Sequence, residues 1–98
     1  MLNRSVRVVI CLAELHIPAS TSLKRKRQVI KSVVQRMRNR FNVSVSEVGC
    51  ADLLQRSELG LAIVCHNSAG ADSIQEQVYS FLEREPELEI ISFSKELY

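Results

Sequence analysis

Between Val6 and His16 the chain carries two apolar sets at once. Val6, Val8, Ile10 and Leu12 follow one alternation, and Val9, Cys11, Ala13 and Leu15 the other. A strand that is apolar on both faces has to be covered on both, so this segment predicts a central strand, ended by Pro18. Everything else in the fold must then be arranged around it.

The later segments supply that arrangement. Leu23, Ile30, Val33, Val34, Met37 and Phe41 recur at helical spacing, which predicts a helix from Leu23 to Arg40 with Ser22 as its N-cap. Val43 to Val48 alternates as a half-buried strand, and Leu59 to Cys65 reads as a third. Asn67 and Ser68 offer a second cap, after which Ala71, Ile74, Val78, Phe81 and Leu82 repeat helically until Pro86. Leu88 to Ser94 completes the set as a strand. The 98 residues hold one modest core, so a single domain is expected over 1–98. The order strand, helix, strand, strand, helix, strand with right-handed crossovers predicts an α+β, ferredoxin-like βαββαβ fold. That fold is a four-stranded antiparallel sheet with two helices on one face. On side-chain size, the larger residues of strands one and three are expected under the helices. The smaller set, Val9, Cys11, Ala13, Gly60, Ala62 and Val64, is expected on the open face, where a second copy of the chain would cover it as a homodimer.

Several classes of chemistry find no support. The longest clean apolar run, Val8 to Ala13, is far short of the ~20 residues of a membrane span and too short for a signal-peptide core, so a cytoplasmic protein is expected. Cys11, Cys50 and Cys65 are odd in number and widely spaced, and no C-x-x-C pair is present, so neither a disulfide scaffold nor a metal site is expected. Cys11 and Cys65 read as small core hydrophobes, and Cys50 as a free thiol in a polar connection. Strands one and three lack aromatic residues, which argues against base stacking on the sheet. The first strand–helix loop, Ile17 to Ser22, has neither the Gly nor the Arg of an acylphosphatase-like anion loop. His16 and Glu14 do not by themselves make a mechanism, so no enzyme and no cofactor are expected.

Charge is the informative property. Net charge is only +2, yet residues 1–42 carry ten basic and one acidic side chain, and residues 43–98 three basic and ten acidic. Eight cations lie between Lys24 and Arg40, and no acid occurs between Glu14 and Glu47. At helical spacing seven of them divide into two flanks: Arg25, Arg36 and Arg40 on one, Lys24, Arg27, Lys31 and Arg38 on the other. Lys24, Arg25, Lys31, Arg36, Arg38 and Arg40 are the candidate nucleic-acid contacts. The competing expectation is a solvated face whose cations pair with the acidic second helix. Gln55 and Arg56, between strands two and three, are read as loop residues, with Arg56 braced by Asp52 or Glu58.

The residues also resemble a known family. Glu14-Leu15-His16-Ile17-Pro18, Ser22-Leu23-Lys24, Lys26-Arg27, Arg38-Asn39-Arg40-Phe41-Asn42-Val43-Ser44-Val45, Asp52, Gln55-Arg56 and Glu58-Leu59-Gly60 are similar to the YlxP-like bacterial proteins of unknown function. The resemblance spans essentially the whole chain and implies a ferredoxin-like fold. It implies no established activity. Such proteins tend to be encoded beside translation-initiation and ribosome-maturation factors, which points towards ribosomal RNA or a ribosomal particle as partner. Members commonly carry Glu where Arg25 stands, completing a capping box that this chain lacks. The alternative function is a dimeric interaction or small-ligand-binding regulatory module without nucleic-acid binding.

Overall fold

The computed structural model describes residues 5–98, and its elements follow the predicted order. They are β1 (Arg7–His16), α1 (Leu23–Arg40), β2 (Ser44–Gly49), β3 (Arg56–Cys65), α2 (Ser68–Glu83) and β4 (Glu89–Leu97). The sheet runs β2-β3-β1-β4, with every neighbouring pair antiparallel. This is the α+β, ferredoxin-like architecture, and the doubly apolar segment is one of its two central strands.

Local chemistry sets the helix ends. Ser22 is extended, and its Oγ accepts from the Arg25 backbone N–H at 3.0 Å, satisfying one of the free donors of the first turn. Asn67 does the same for α2 through Gly70, at 2.8 Å. β3 begins three residues earlier than its apolar run suggests, because Arg56, Ser57 and Glu58 continue the ladder opposite His16, Leu15 and Glu14. β4 extends to Leu97 because the ladder to β1 continues as far as Val9.

The assignment of faces from side-chain size fails for β1. Val9, Cys11 and Ala13 are buried beneath the helices, together with Leu15. Directly opposed residues on antiparallel strands share a face, and the register pairs Ala13 with Leu59, Cys11 with Leu61 and Val9 with Ile63. Small residues therefore sit beside large ones in the layer under the helices. Gly60, Ala62 and Val64 do lie on the open face, but their neighbours there are Leu12, Ile10 and Val8.

α1 lies over β2, and α2 over β4, β3 and β1. Val29, Ile30, Val33 and Met37 of α1, Ala71, Val78 and Leu82 of α2, and Val45 of β2 close the core. At the far end of α1, Phe41 and Phe81 meet edge to face with centroids 5.8 Å apart, joining the two helices. Cys11 is fully buried, and Cys65 packs against the core, as small hydrophobes. Burial pushes the Cys11 thiol above its ordinary pKa, partly offset by the Lys95 charge.

Candidate nucleic-acid interface

The cations of α1 separate into three environments. The first is internal. Lys26 occupies the apolar stripe, in phase with Ile30, Val33 and Met37, and is completely buried. Its Nζ donates to Glu47 Oε2 at 2.6 Å, to the Cys50 carbonyl at 2.8 Å and to the Ala51 carbonyl at 3.1 Å. Those three acceptors satisfy every proton of the ammonium. The same Glu47 oxygen accepts from the buried Ser57 hydroxyl at 2.5 Å. The network therefore ties α1 to β2, β3 and the loop between them. Its sequence signal was the helical phase of Lys26, which places a cation on the buried side.

The second environment is the flank facing α2 and the turn after it. Arg25 pairs with Glu87, and Arg36 with Glu85, a carboxylate that is nearly buried. Arg36 also lies over the Phe81 ring at 5.7 Å, and Arg40 over Phe41 at 5.6 Å. A cleft of about 520 Å³ separates the helices here, lined by Arg36, Arg40, Glu76, Phe81, Arg84 and Glu85. Both charge signs line it, and its central arginine is already neutralised. On this flank two of the three cations pair with acids, but those acids lie in the turn after α2 and not on the second helix itself. Arg25 and Arg36, expected as phosphate contacts, are thus engaged within the chain by Glu87 and Glu85.

The third environment is the outer flank, on the β2 side. Lys24, Arg27, Lys31 and Arg38 are exposed and follow one another at spacings that keep them on one stripe. None has a carboxylate partner among the described residues. Arg38 Nη2 donates to the Val45 carbonyl at 2.8 Å, which orients it and covers an edge carbonyl of β2. The row spans about 21 Å of helix axis. Arg27 belongs to it through its spacing from Lys24 and Lys31. Arg40 lies past its end, with its guanidinium on Phe41.

The β2–β3 loop is held by residues other than those expected. Gln55 Nε2 donates to the Pro18 and Ser20 carbonyls at 3.2 and 3.1 Å, and Ile17 N donates to the Gln55 carbonyl at 2.8 Å. Gln55 thus clamps this loop to the one before α1. Arg56 makes no ion pair with Asp52 or Glu58 among the described residues, so Lys26 and Gln55 do the bracing expected of it. Cys50 sits in this loop with φ 59°, a left-handed conformation that disfavours a side chain. Its Sγ donates to Glu58 Oε1 at 3.7 Å. Desolvation and then the Glu58 carboxylate push its thiol pKa up. His16 pairs with Glu89 across the β1–β4 ladder at 3.3 Å, not with Glu14. No group of three or more His, Cys, Asp or Glu side chains is placed to hold a metal ion among the described residues.

The motifs on these loops and along α1 can now be compared with known proteins. Residues 8–95 match the family described as protein of unknown function (DUF503). The chain belongs to this family. A DUF503-like relative, the uncharacterized protein YlxP of Bacillus subtilis (strain 168), is 40% identical over 68 residues, covering 69% of this chain and 74% of YlxP. The crystal structure of protein SO0527 from Shewanella oneidensis aligns over 94% of this chain and 89% of its own, at 15% identity and a TM-score of 0.47. A likeness that distant carries no argument about function. Membership in DUF503 brings no activity with it. No helix among the described residues is long and apolar enough to cross a membrane.

Proposed function

We propose that the outer flank of α1 binds the phosphate backbone of structured RNA, as part of a ribosomal RNA or ribosomal particle, and that the protein acts in the cytoplasm by binding rather than catalysis. One observation carries the reading: Lys24, Arg27, Lys31 and Arg38 form a row without carboxylate partners among the described residues, on a helix whose opposite flank pairs two of its three arginines with acids. Lys24 lies in the first turn and Arg27 directly after it, where a cation opposes the helix dipole at a cost of about 0.3–1 kcal/mol within that turn. A face that served only solubility would mix signs and gain i,i+4 pairs. The genomic neighbourhood implied by the family resemblance points the same way. A binding role is also supported by the engagement of the reactive side chains. The Ser57 hydroxyl is buried and donates to Glu47, His16 pairs with Glu89, and the Cys50 thiol is held protonated beside Glu58.

The test is binding to ribosomal RNA and to ribosomal subunits across a salt series. Log K is expected to fall linearly with log salt, with a slope of about −3 for four phosphate contacts. The triple variant Lys24→Glu, Arg27→Glu, Lys31→Glu is expected to lower that slope by about two units and the affinity by at least about tenfold. Lys24→Glu places an acid in the first turn, which favours the helix dipole, and circular dichroism is expected to show α1 retained in the triple variant. Arg56→Glu with Arg84→Glu alters charge away from the row and is expected to retain most of the affinity. Absence of binding at low salt, or an equal loss in both variants, would refute this interface.

A further inference from the structure

Leu53 and Leu54 are adjacent in the β2–β3 loop, and neither belongs to the core or packs against it. Leu53 is 51% exposed and Leu54 43%. The loop that carries them is fixed at both ends. Lys26 of α1 donates to the Cys50 and Ala51 carbonyls on one side. Gln55 donates to the Pro18 and Ser20 carbonyls on the other. Between these anchors the Leu53 N–H donates to the Cys50 carbonyl at 3.1 Å, closing a turn that Cys50 enters in the left-handed conformation. A loop held this way need not be ordered on binding, so the apolar pair is presented at little entropic cost. The anchors also set where the leucines stand. Lys26 lies near the start of α1, and Ser20 just precedes its N-cap Ser22. Lys24 and Arg27, the first two cations of the outer row, flank Lys26 along the chain. The leucines therefore stand at the N-terminal end of that row.

We propose, resting on the reading of the outer flank as an RNA contact, that Leu53 and Leu54 cover the face of an unpaired base. The RNA recognised is then a duplex interrupted by a bulge or ending at a junction. Three features select this occupant. First, the cations beside the leucines stand in single file over about 21 Å of helix, which matches one strand of a linear polyanion. A flat anionic lipid surface would instead draw on cations spread over a face. Second, the apolar element is small. Two leucine side chains offer about the area of one base, whereas a protein partner anchors on a larger, fully desolvated cluster. Third, the pair stands at one end of the row, so a strand followed along the row reaches it at a single place. Proteins recognise RNA mostly at loops, bulges and ends, because unstacked bases there expose their faces. Leucine is among the apolar side chains that proteins place against unstacked bases. The row would hold the backbone, and the loop would select the place along it where pairing stops.

The experiment compares two RNA hairpins, one fully paired and one identical except for a single-nucleotide bulge occupied by 2-aminopurine. The native full chain is expected to bind the bulged hairpin at least about fivefold more tightly, the ratio given by removing about 40 Å² of apolar surface from water. Binding should also change the 2-aminopurine fluorescence. Leu53→Ser with Leu54→Ser is expected to bring the two affinities together while leaving the salt dependence unchanged, because no phosphate contact is lost. Circular dichroism of this variant should match the native chain, since both side chains lie outside the core. The affinity ratio and the fluorescence of the native chain test the proposal whether or not the variant folds. No binding to either hairpin at low salt would refute the RNA reading and this proposal with it. Equal binding of both hairpins by the native chain would overturn this proposal alone. So would a bulge preference that the folded serine variant keeps, or binding to phosphatidylserine vesicles that the variant loses.

Discussion

Lys26 is the residue whose surroundings tolerate least change. Its ammonium is out of water, and its stability depends on Glu47 and two loop carbonyls. Removing one member of such a pair leaves the other desolvated and unpaired, at a cost of about 3–5 kcal/mol. Glu47→Ala is therefore expected to lower unfolding free energy by about that amount in urea titration. Lys26→Met should cost less, because Glu47 is partly exposed and retains the Ser57 hydroxyl. Equal stability of Glu47→Ala and the native chain would show that water replaces the carboxylate.

Cys50 allows a different test at the same scale. Its thiol pKa is raised by desolvation and then by Glu58, so its thiolate is scarce at neutral pH. Reaction with a disulfide reagent is expected to be slower than that of an unperturbed thiol and to accelerate only at higher pH. Glu58→Gln removes a negative neighbour, lowers the pKa and shifts the rate profile to lower pH. An unchanged profile would mean that the carboxylate does not act on the thiol. Cys50→Gly is expected to raise the urea midpoint, because glycine adopts the left-handed conformation freely.

At the scale of elements, α1 combines a good cap with an adverse charge pattern. Ser22→Ala is expected to cost about 1 kcal/mol in thermal or urea unfolding, because the Arg25 N–H loses its acceptor. A cost near zero would place water at that site. Arg25 stands where the family resemblance implies Glu, and the structure gives it a partner: Glu87, in the turn after α2. Arg25→Glu would complete a capping box and improve the dipole, but it would also set two carboxylates against each other. The cap was legible from Ser22 alone. The partner was not, because 62 residues separate Arg25 from Glu87 along the chain.

For the whole molecule, β1 is held between β3 and β4, and β4 is contributed by the C-terminal segment. Phe93 of β4 packs against Tyr79 of α2, with ring centroids 5.5 Å apart, so the last strand also anchors the second helix. A chain ending at Leu88 is expected to lose cooperative unfolding by calorimetry, since one ladder of β1 and the floor beneath α2 disappear together. A sharp transition in that fragment would show that three strands and two helices are sufficient.

Periodicity along the chain was enough to determine the order of elements, the span of α1 and the central place of β1. Each of these is local: it depends on residues two to four positions apart, whose geometry is set by the backbone. Three properties were decided only by tertiary structure. The inward face of β1 came from its register with β3, because both of its alternations are apolar and size alone misled. The helical phase put Lys26 on the buried side, but the carboxylate that satisfies it there lies 21 residues away. The division of α1 into a neutralised flank and a free one came from where Glu85 and Glu87 arrive after α2. Hydrophobic pattern states that a side chain is covered; which side chain covers it, or which charge meets it, is set when distant segments pack.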